Sequence, residues 1–249
     1  MLYALMALLG LCVGSFFNVV ISRWGKEDGM LFGRSHCPLC NARLAWYDLV
    51  PLLSFIVLRG RCRSCGAKIS WQYPIVELVA AGILVAFFFQ YGFDLSPHTL
   101  WFAMLVIGFL ALLLFDLIHL ILPDVIIAIM SVITVGYLVF LNKSLLPSSL
   151  ATGLLLSALF AILYVVSRGR WVGFGDVKLM FLVGVAFGYP FGVLTAIASI
   201  WLAAATGIAF IAAGKATGKS ALPFGSFLAG VSVVYIIFFN EIQTFRWYF

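Results

Sequence analysis

Eight apolar runs dominate this sequence, at Leu2–Ile21, Ile75–Tyr91, Thr99–Leu122, Val125–Leu141, Leu145–Val166, Trp171–Gly188, Phe191–Ala213 and Phe224–Asn240. Each is close to the roughly 20 residues that a helix needs to cross hydrocarbon, allowing for tilt and mismatch. Of the 249 residues, 64% are hydrophobic and only 10% are charged, whereas a soluble domain carries about a quarter charged residues. A water-soluble fold of this composition could not cover its own surface. The expected fold class is all-α: a polytopic membrane protein of about eight transmembrane helices, with lipid as its surroundings.

The first run has no basic stretch ahead of it and carries Asn18, so it reads as a first span and not a signal peptide. Gly188-Tyr189-Pro190 supplies a turn between the sixth and seventh runs, because Pro190 has no N–H for a helical ladder. With the N-terminus outside, thirteen of the fifteen Lys and Arg fall on inner segments, Lys26, Lys215 and Lys219 among them, and only Lys143 and Arg246 lie outside. This is the positive-inside asymmetry of an inner-membrane protein. The net charge of +6 is thus a matter of topology, and no nucleic-acid partner is expected. No internal repeat is expected. The chain divides into a first transmembrane helix at 1–21, a cytoplasmic loop at 22–73 and seven membrane helices at 74–249. Inside the loop, Leu49–Leu58 is apolar but interrupted by Pro51 and Ser54, too short to span, and suits a re-entrant or interfacial element.

Four of the five cysteines form Cys37-Pro-Leu-Cys40 and Cys62-Arg-Ser-Cys65. Each C-x2-C turns two thiolates onto one centre, and two such pairs complete a tetrahedral zinc site. Arg61, Arg63 and Lys68 favour thiolate and offset its charge. The competing reading is two disulfides, which a cytoplasmic loop disfavours. With four protein ligands and no open position, the Zn2+ would be structural. Cys12, within the first run, is expected to be a small packing residue.

Four acidic residues, Glu77, Asp116, Asp124 and Asp176, lie in the runs or at their inner ends, where ionisable groups are costly and by default functional. Asp124 opens a helix and can meet its N-terminus. Glu77, one turn inside its run, can equally be a helix-end group in cytosolic water. Asp116 lies six residues before the end of its run, about 9 Å of rise. Asp176 follows Gly173-Phe174-Gly175, whose glycines permit a bend and a close approach. Two carboxylates at similar depth in a low dielectric share one proton and can work as acid and base on a peptide bond. Buried acids equally suit a cation-coupled transporter. The acids alone leave both readings open.

In order along the chain stand Gly14-Ser15-Phe16-Phe17-Asn18-Val19 with Arg23, the cysteine tetrad, Pro51-Leu52-Leu53-Ser54, Arg59-Gly60-Arg61-Cys62, Tyr73-Pro74-Ile75-Val76-Glu77, Asp116 with Leu122-Pro123-Asp124, Gly173-Phe174-Gly175-Asp176-Val177-Lys178 and Pro223-Phe224-Gly225. Taken together, these motifs resemble the type IV prepilin peptidase family. The resemblance implies an intramembrane aspartyl protease of the Gly-x-Gly-Asp kind with Asp116 and Asp176 catalytic and Asp124 a second-rank acid. It implies type IV prepilins or type II secretion pseudopilins as substrates, cut at the cytoplasmic face behind a short basic leader. It further implies N-methylation of the new N-terminus, usually Phe, from S-adenosylmethionine.

No Gly-x-Gly-x-x-Gly is present, so the methyl-donor region rests on the resemblance, which points to Gly60 and Arg61 in the cysteine loop. Ser15, Asn18, Glu77, Gly173, Gly175 and Lys178 are candidates for the substrate path, although Gly14 reads better as a packing glycine. Ser226 stands where the family commonly has proline, and is expected to affect the entry to the last span without touching the acids. The rivals are a peptidase without methyl transfer, a cation-coupled transporter with a structural zinc loop, and a non-enzymatic pilus assembly factor.

Overall fold

The computed structural model describes residues 1–25, 34–215, 217 and 222–239. The expectations for Lys26, Lys219 and Arg246, and for the Asn240 end of the last run, lie outside the described residues. The chain is all-α and divides into two compact units, Met1–Asp94 and Leu95–Phe249.

The first unit contains α1 (Leu2–Arg23), a 3-10 turn (Trp46–Leu49), α2 (Leu53–Val57) and α3 (Gln72–Tyr91). Small residues let α1 and α3 lie backbone to backbone. A Cβ on Gly10 would come within 2.4 Å of Ala81 Cα, and one on Gly14 within 2.6 Å of Glu77 Cα. Where lipid is as apolar as the side chains, such close packing drives helix association, and Gly14 has its expected packing role. Cys12 instead lies exposed on α1. Half of the apolar Leu49–Leu58 stretch becomes α2, whose Leu53, Ile56 and Val57 are exposed.

The second unit contains α4 (Pro97–His119), α5 (Asp124–Leu141), α6 (Leu146–Ser167), α7 (Phe174–Phe187), α8 (Phe191–Ala212) and α9 (Phe224–Ile237). Its centre is α4, which is 61% buried along its apolar window against 22% for α5. Ser96 caps α4, its Oγ accepting from Thr99 N–H at 3.3 Å ahead of Pro97. Trp101 stacks on Tyr137 at 4.3 Å and donates to Thr134 Oγ1 at 3.3 Å, which joins α4 to α5. Between α6 and α7 the glycines face each other: a Cβ on Gly184 would stand 2.5 Å from Gly153 Cα.

Among the described residues six helices, α1, α3, α4, α5, α6 and α8, are long and apolar enough to cross a membrane. The sixth and eighth runs yield α7 and α9 of 14 residues each, a rise of about 21 Å against roughly 30 Å of hydrocarbon. The third run also ends early. Its helix stops at His119 and Leu120 turns left-handed, φ 55°; Pro123, a few residues on, has no N–H with which to continue the helical ladder. Asp116 therefore sits in the last turn of α4, not six residues from its end.

Candidate active site and metal centre

The cysteine loop is built twice. His36-Cys-Pro-Leu-Cys-Asn-Ala-Arg-Leu-Ala-Trp46 and Arg61-Cys-Arg-Ser-Cys-Gly-Ala-Lys-Ile-Ser-Trp71 match position by position at an offset of 25 residues (62 − 37). In the first copy, Cys37 N–H donates to Ala42 O and Asn41 N–H to Cys37 O, both at 2.9 Å; in the second, Cys62 N–H donates to Ala67 O at 2.8 Å and Gly66 N–H to Cys62 O at 2.9 Å. The left-handed residue recurs, Asn41 at φ 57° and Gly66 at φ 69°, and so does the bridge, His36 with Arg43 and Arg61 with Lys68. The expectation of no internal repeat is thereby corrected. The repeat is too short and too polar to stand out against the apolar runs, and becomes visible once the two knuckles are superimposed.

The four Sγ atoms of Cys37, Cys40, Cys62 and Cys65 lie within 4.8 Å of one another, with Cys37 and Cys65 at 3.9 Å. A tetrahedral ion with Zn–S bonds of about 2.3 Å sets sulfurs about 3.8 Å apart, so this donor set fits a four-thiolate metal. All five cysteines are free. The Cys40 N–H, then the Leu39 N–H, stabilise the Cys37 thiolate and bring its thiol down to about 6. At Cys65 the Ala67 N–H pulls the other way, but the neighbouring thiols and burial push it up to about 11. The tetrad thus shares protons that a bound cation would displace. Asp48 braces the second knuckle by accepting from Arg63 Nε and Nη2 at 2.9 and 2.8 Å.

Gly60 is left-handed at φ 66°; its N–H donates to Phe55 O and its C=O accepts from Ile69 N–H, both at 2.8 Å. The neighbouring Arg61 is exposed.

Glu77, expected to be even-handedly a helix-end group in water, is 6% exposed. It accepts from Leu52 N–H at 2.9 Å. Asn18, 1% exposed, donates through Nδ2 to Tyr73 O at 3.0 Å, while its buried Oδ1 has no hydrogen-bond partner among the described residues. Asn18 thus ties α1 to the first turn of α3, and Glu77 ties α3 to the loop at Leu52.

In the second unit Asp116 is buried at 6% exposure. Its Oδ2 accepts from Ser226 N–H at 2.6 Å and from Ser226 Oγ–H at 2.8 Å. The expectation that Ser226 stays clear of the acids is therefore overturned. Ser226 stands in the first turn of α9, where backbone N–H groups have no partner inside the helix and point out of its end; that turn meets the end of α4. Helix-end geometry could have flagged it, but nothing in the linear sequence pairs residues 116 and 226.

Asp176 sits in the first turn of α7, and its Oδ2 accepts from Gly173 N–H at 3.0 Å. The Asp116 and Asp176 carboxylates are near enough to interact electrostatically. Leu122, freed from α4, fills the space beside them: a Cβ on Gly175 would be 3.1 Å from Leu122 Cβ, and one on Gly225 2.9 Å from Leu122 Cδ1 and 3.1 Å from Asp116 Cγ. Gly175 and Gly225 thus serve close approach, while Gly173 has an ordinary extended backbone, φ −77°, and makes no special bend. Asp124 lies at the exposed start of α5, where Lys178 Nζ donates to its Oδ2 at 2.6 Å and also stands 4.7 Å from the Phe174 ring.

Residues 8–91 match the profile of the Bacterial Peptidase A24 N-terminal domain, and residues 102–208 that of the Type IV leader peptidase family. Over 251 residues the chain is 30% identical to the prepilin leader peptidase/N-methyltransferase of Bacillus subtilis, covering 97% of this chain and 96% of that one. The chain belongs to the type IV prepilin peptidase family. The Legionella pneumophila prepilin leader peptidase/N-methyltransferase is 30% identical over 280 residues, covering 99% of this chain and 94% of the relative. That of Myxococcus xanthus is 45% identical, but over 117 residues, 46% of this chain and 34% of the relative. No solved structure matches the chain. Family membership makes it a polytopic membrane enzyme of the protease and methyltransferase kind.

Proposed function

We propose that this protein removes the short basic leader from type IV prepilins or type II secretion pseudopilins at the cytoplasmic face of the inner membrane, then N-methylates the exposed N-terminal residue, usually Phe. The single observation that carries the reading is that Asp116 at the end of α4 and Gly175-Asp176 at the start of α7 close on one side chain, Leu122, a Cβ on Gly225 standing 3.1 Å from Asp116 Cγ and 2.9 Å from Leu122 Cδ1 and one on Gly175 3.1 Å from Leu122 Cβ.

In this mechanism the charged carboxylate takes a proton from water while the water oxygen bonds to the scissile carbonyl carbon. The protonated partner then gives its proton to the leaving nitrogen as the carbon–nitrogen bond breaks. The pair ends with its proton exchanged and one carboxylate still charged. Ser15, Asn18, Glu77, Gly173, Gly175 and Lys178 belong to the substrate path in this reading, and Asp124 supports the site through Lys178. All eight membrane helices span, with α7 and α9 sheltered by their neighbours. The peptidase occupies 74–249 and the methyltransferase region 22–73.

Zinc held by Cys37, Cys40, Cys62 and Cys65 folds the cytoplasmic loop and takes no part in chemistry, since four thiolates leave no open position. S-adenosylmethionine supplies the methyl group, and the exposed Arg61 side chain is the group in the Gly60-Arg61 region that suits its carboxylate.

The test incubates purified protein in lipid with a prepilin and S-adenosylmethionine and weighs the product. Leader loss plus one methyl group supports both activities. Leader loss alone retains the protease and removes the methyltransferase. An intact substrate with folded, zinc-loaded protein removes both, and favours a transporter or an assembly factor.

A further inference from the structure

We infer that α2 is a membrane-docking element: Leu53, Ile56 and Val57 enter the acyl boundary of the adjoining leaflet, while Arg59 and Lys68 hold its anionic headgroups. Such docking requires only a polytopic membrane protein and is independent of whether the chain cleaves prepilins.

The five residues of α2 carry three exposed apolar side chains, Leu53 at 61%, Ile56 at 67% and Val57 at 72%. Positions i, i+3 and i+4 share one face of a helix. The other side of α2 is fixed to the protein. Phe55 packs on Trp71, with ring centroids 4.9 Å apart, and a Cβ on Gly60 would stand 3.1 Å from Phe55 Cζ. Ahead of the helix, Leu52 N–H donates to Glu77 Oε2 at 2.9 Å.

That last bond sets the depth. Glu77 is the sixth residue of α3, about 7.5 Å of rise from its start, and α3 is long and apolar enough to cross a membrane. The start of α2 therefore lies beside the first turns of a membrane helix, not ahead of them. In the same turns α3 exposes Ile75 and Leu78, so both helices present apolar side chains at one level. An apolar helix face seats about 5–10 Å into the boundary between headgroups and acyl chains, which matches this depth. Trp71, exposed and just ahead of α3, has the place that Trp takes at a membrane–water interface.

Charge selects the kind of lipid. Between residues 34 and 71, Arg34, Arg43, Arg59, Arg61, Arg63 and Lys68 stand against a single acid, Asp48, which is paired with Arg63. Arg59 and Lys68 are exposed and tied to α2 through the backbone. Arg59 N–H donates to Ile56 O at 3.0 Å, Ile69 N–H to Gly60 O at 2.8 Å, and Arg61 and Lys68 form a bridge. Anionic phosphates attract such side chains, whereas a basic leader peptide would be repelled by them.

The test places the full chain in nanodiscs of phosphatidylcholine, alone or mixed with phosphatidylglycerol, with and without an added prepilin. The photo-crosslinker p-benzoylphenylalanine replaces Val57 in one variant and Ile56 in another, with thermal unfolding as the fold control. Irradiation is expected to give lipid adducts, read by mass, in both variants, and more of them with phosphatidylglycerol. Arg59→Gln and Lys68→Gln should each lower that gain by about fivefold, and high salt should lower it too. Equal adduct yields in the two lipids overturn the headgroup assignment. Folded variants that give no lipid adduct, or that couple to a second copy of the chain or to the prepilin in its place, overturn the docking itself.

Discussion

Lys178 reaches from near the start of α7 to the start of α5 and donates to Asp124 Oδ2 at 2.6 Å. The Asp124 side chain is 67% exposed and that of Lys178 is 32% exposed. Pairs in such settings contribute roughly 0–1 kcal/mol, so loss of the Asp124 charge should cost little beyond that contact. Asp124→Asn is expected to slow leader cleavage by less than about tenfold, in line with that energy. A loss as complete as that of Asp116→Asn would move Asp124 into the reacting pair.

Asp116→Asn and Asp176→Asn are each expected to lower cleavage by about a thousandfold or more, the range of a lost acid or base. Both variants should remain inserted and unfold at a temperature close to that of the parent. Residual cleavage near the parent rate in either one would remove that residue from the mechanism.

The tetrad geometry predicts one zinc per chain, measured by elemental analysis of the purified protein. Cys37→Ser and Cys62→Ser each remove one ligand from a closed site, and zinc content should fall in both. Because the knuckles belong to the first unit and the Asp pair to the second, methylation should decline more than proteolysis. Equal loss of both would mean that the loop supports the whole fold.

Helix packing gives a test independent of catalysis. Gly184→Ala places a Cβ 2.5 Å from Gly153 Cα, an overpacking that costs about 1–3 kcal/mol, and the melting temperature should drop. Gly82, inside α3, is the control, because a Cβ added there would meet nothing within 4 Å. Gly82→Ala should be neutral or stabilising by about 0.5–1 kcal/mol. Equal behaviour of the two variants would contradict the close α6–α7 contact.

Much of this protein is legible without coordinates. Apolar runs of bilayer length dictate helices because hydrocarbon leaves no other way to satisfy the backbone. The C-x2-C pairs announce a metal centre because thiolates at that spacing converge, and acids stand out in a chain that has nine of them. Boundaries are less legible. The run through Leu122 reads as continuous helix, yet the chain leaves the helix at Leu120, and Leu122 becomes the side chain against which Gly175 and Gly225 close.

What the sequence by itself determined is therefore the class of fold and the cysteines that converge on one centre, since each follows from local composition or spacing. Only the tertiary structure decided that Ser226 touches Asp116, that Glu77 is buried under Leu52, and that Asp124 is tied to Lys178. Those three pairings join residues 110, 25 and 54 positions apart. Their partners are chosen by how helix ends and loops meet when the glycine faces pack, and no periodicity along the chain records that choice.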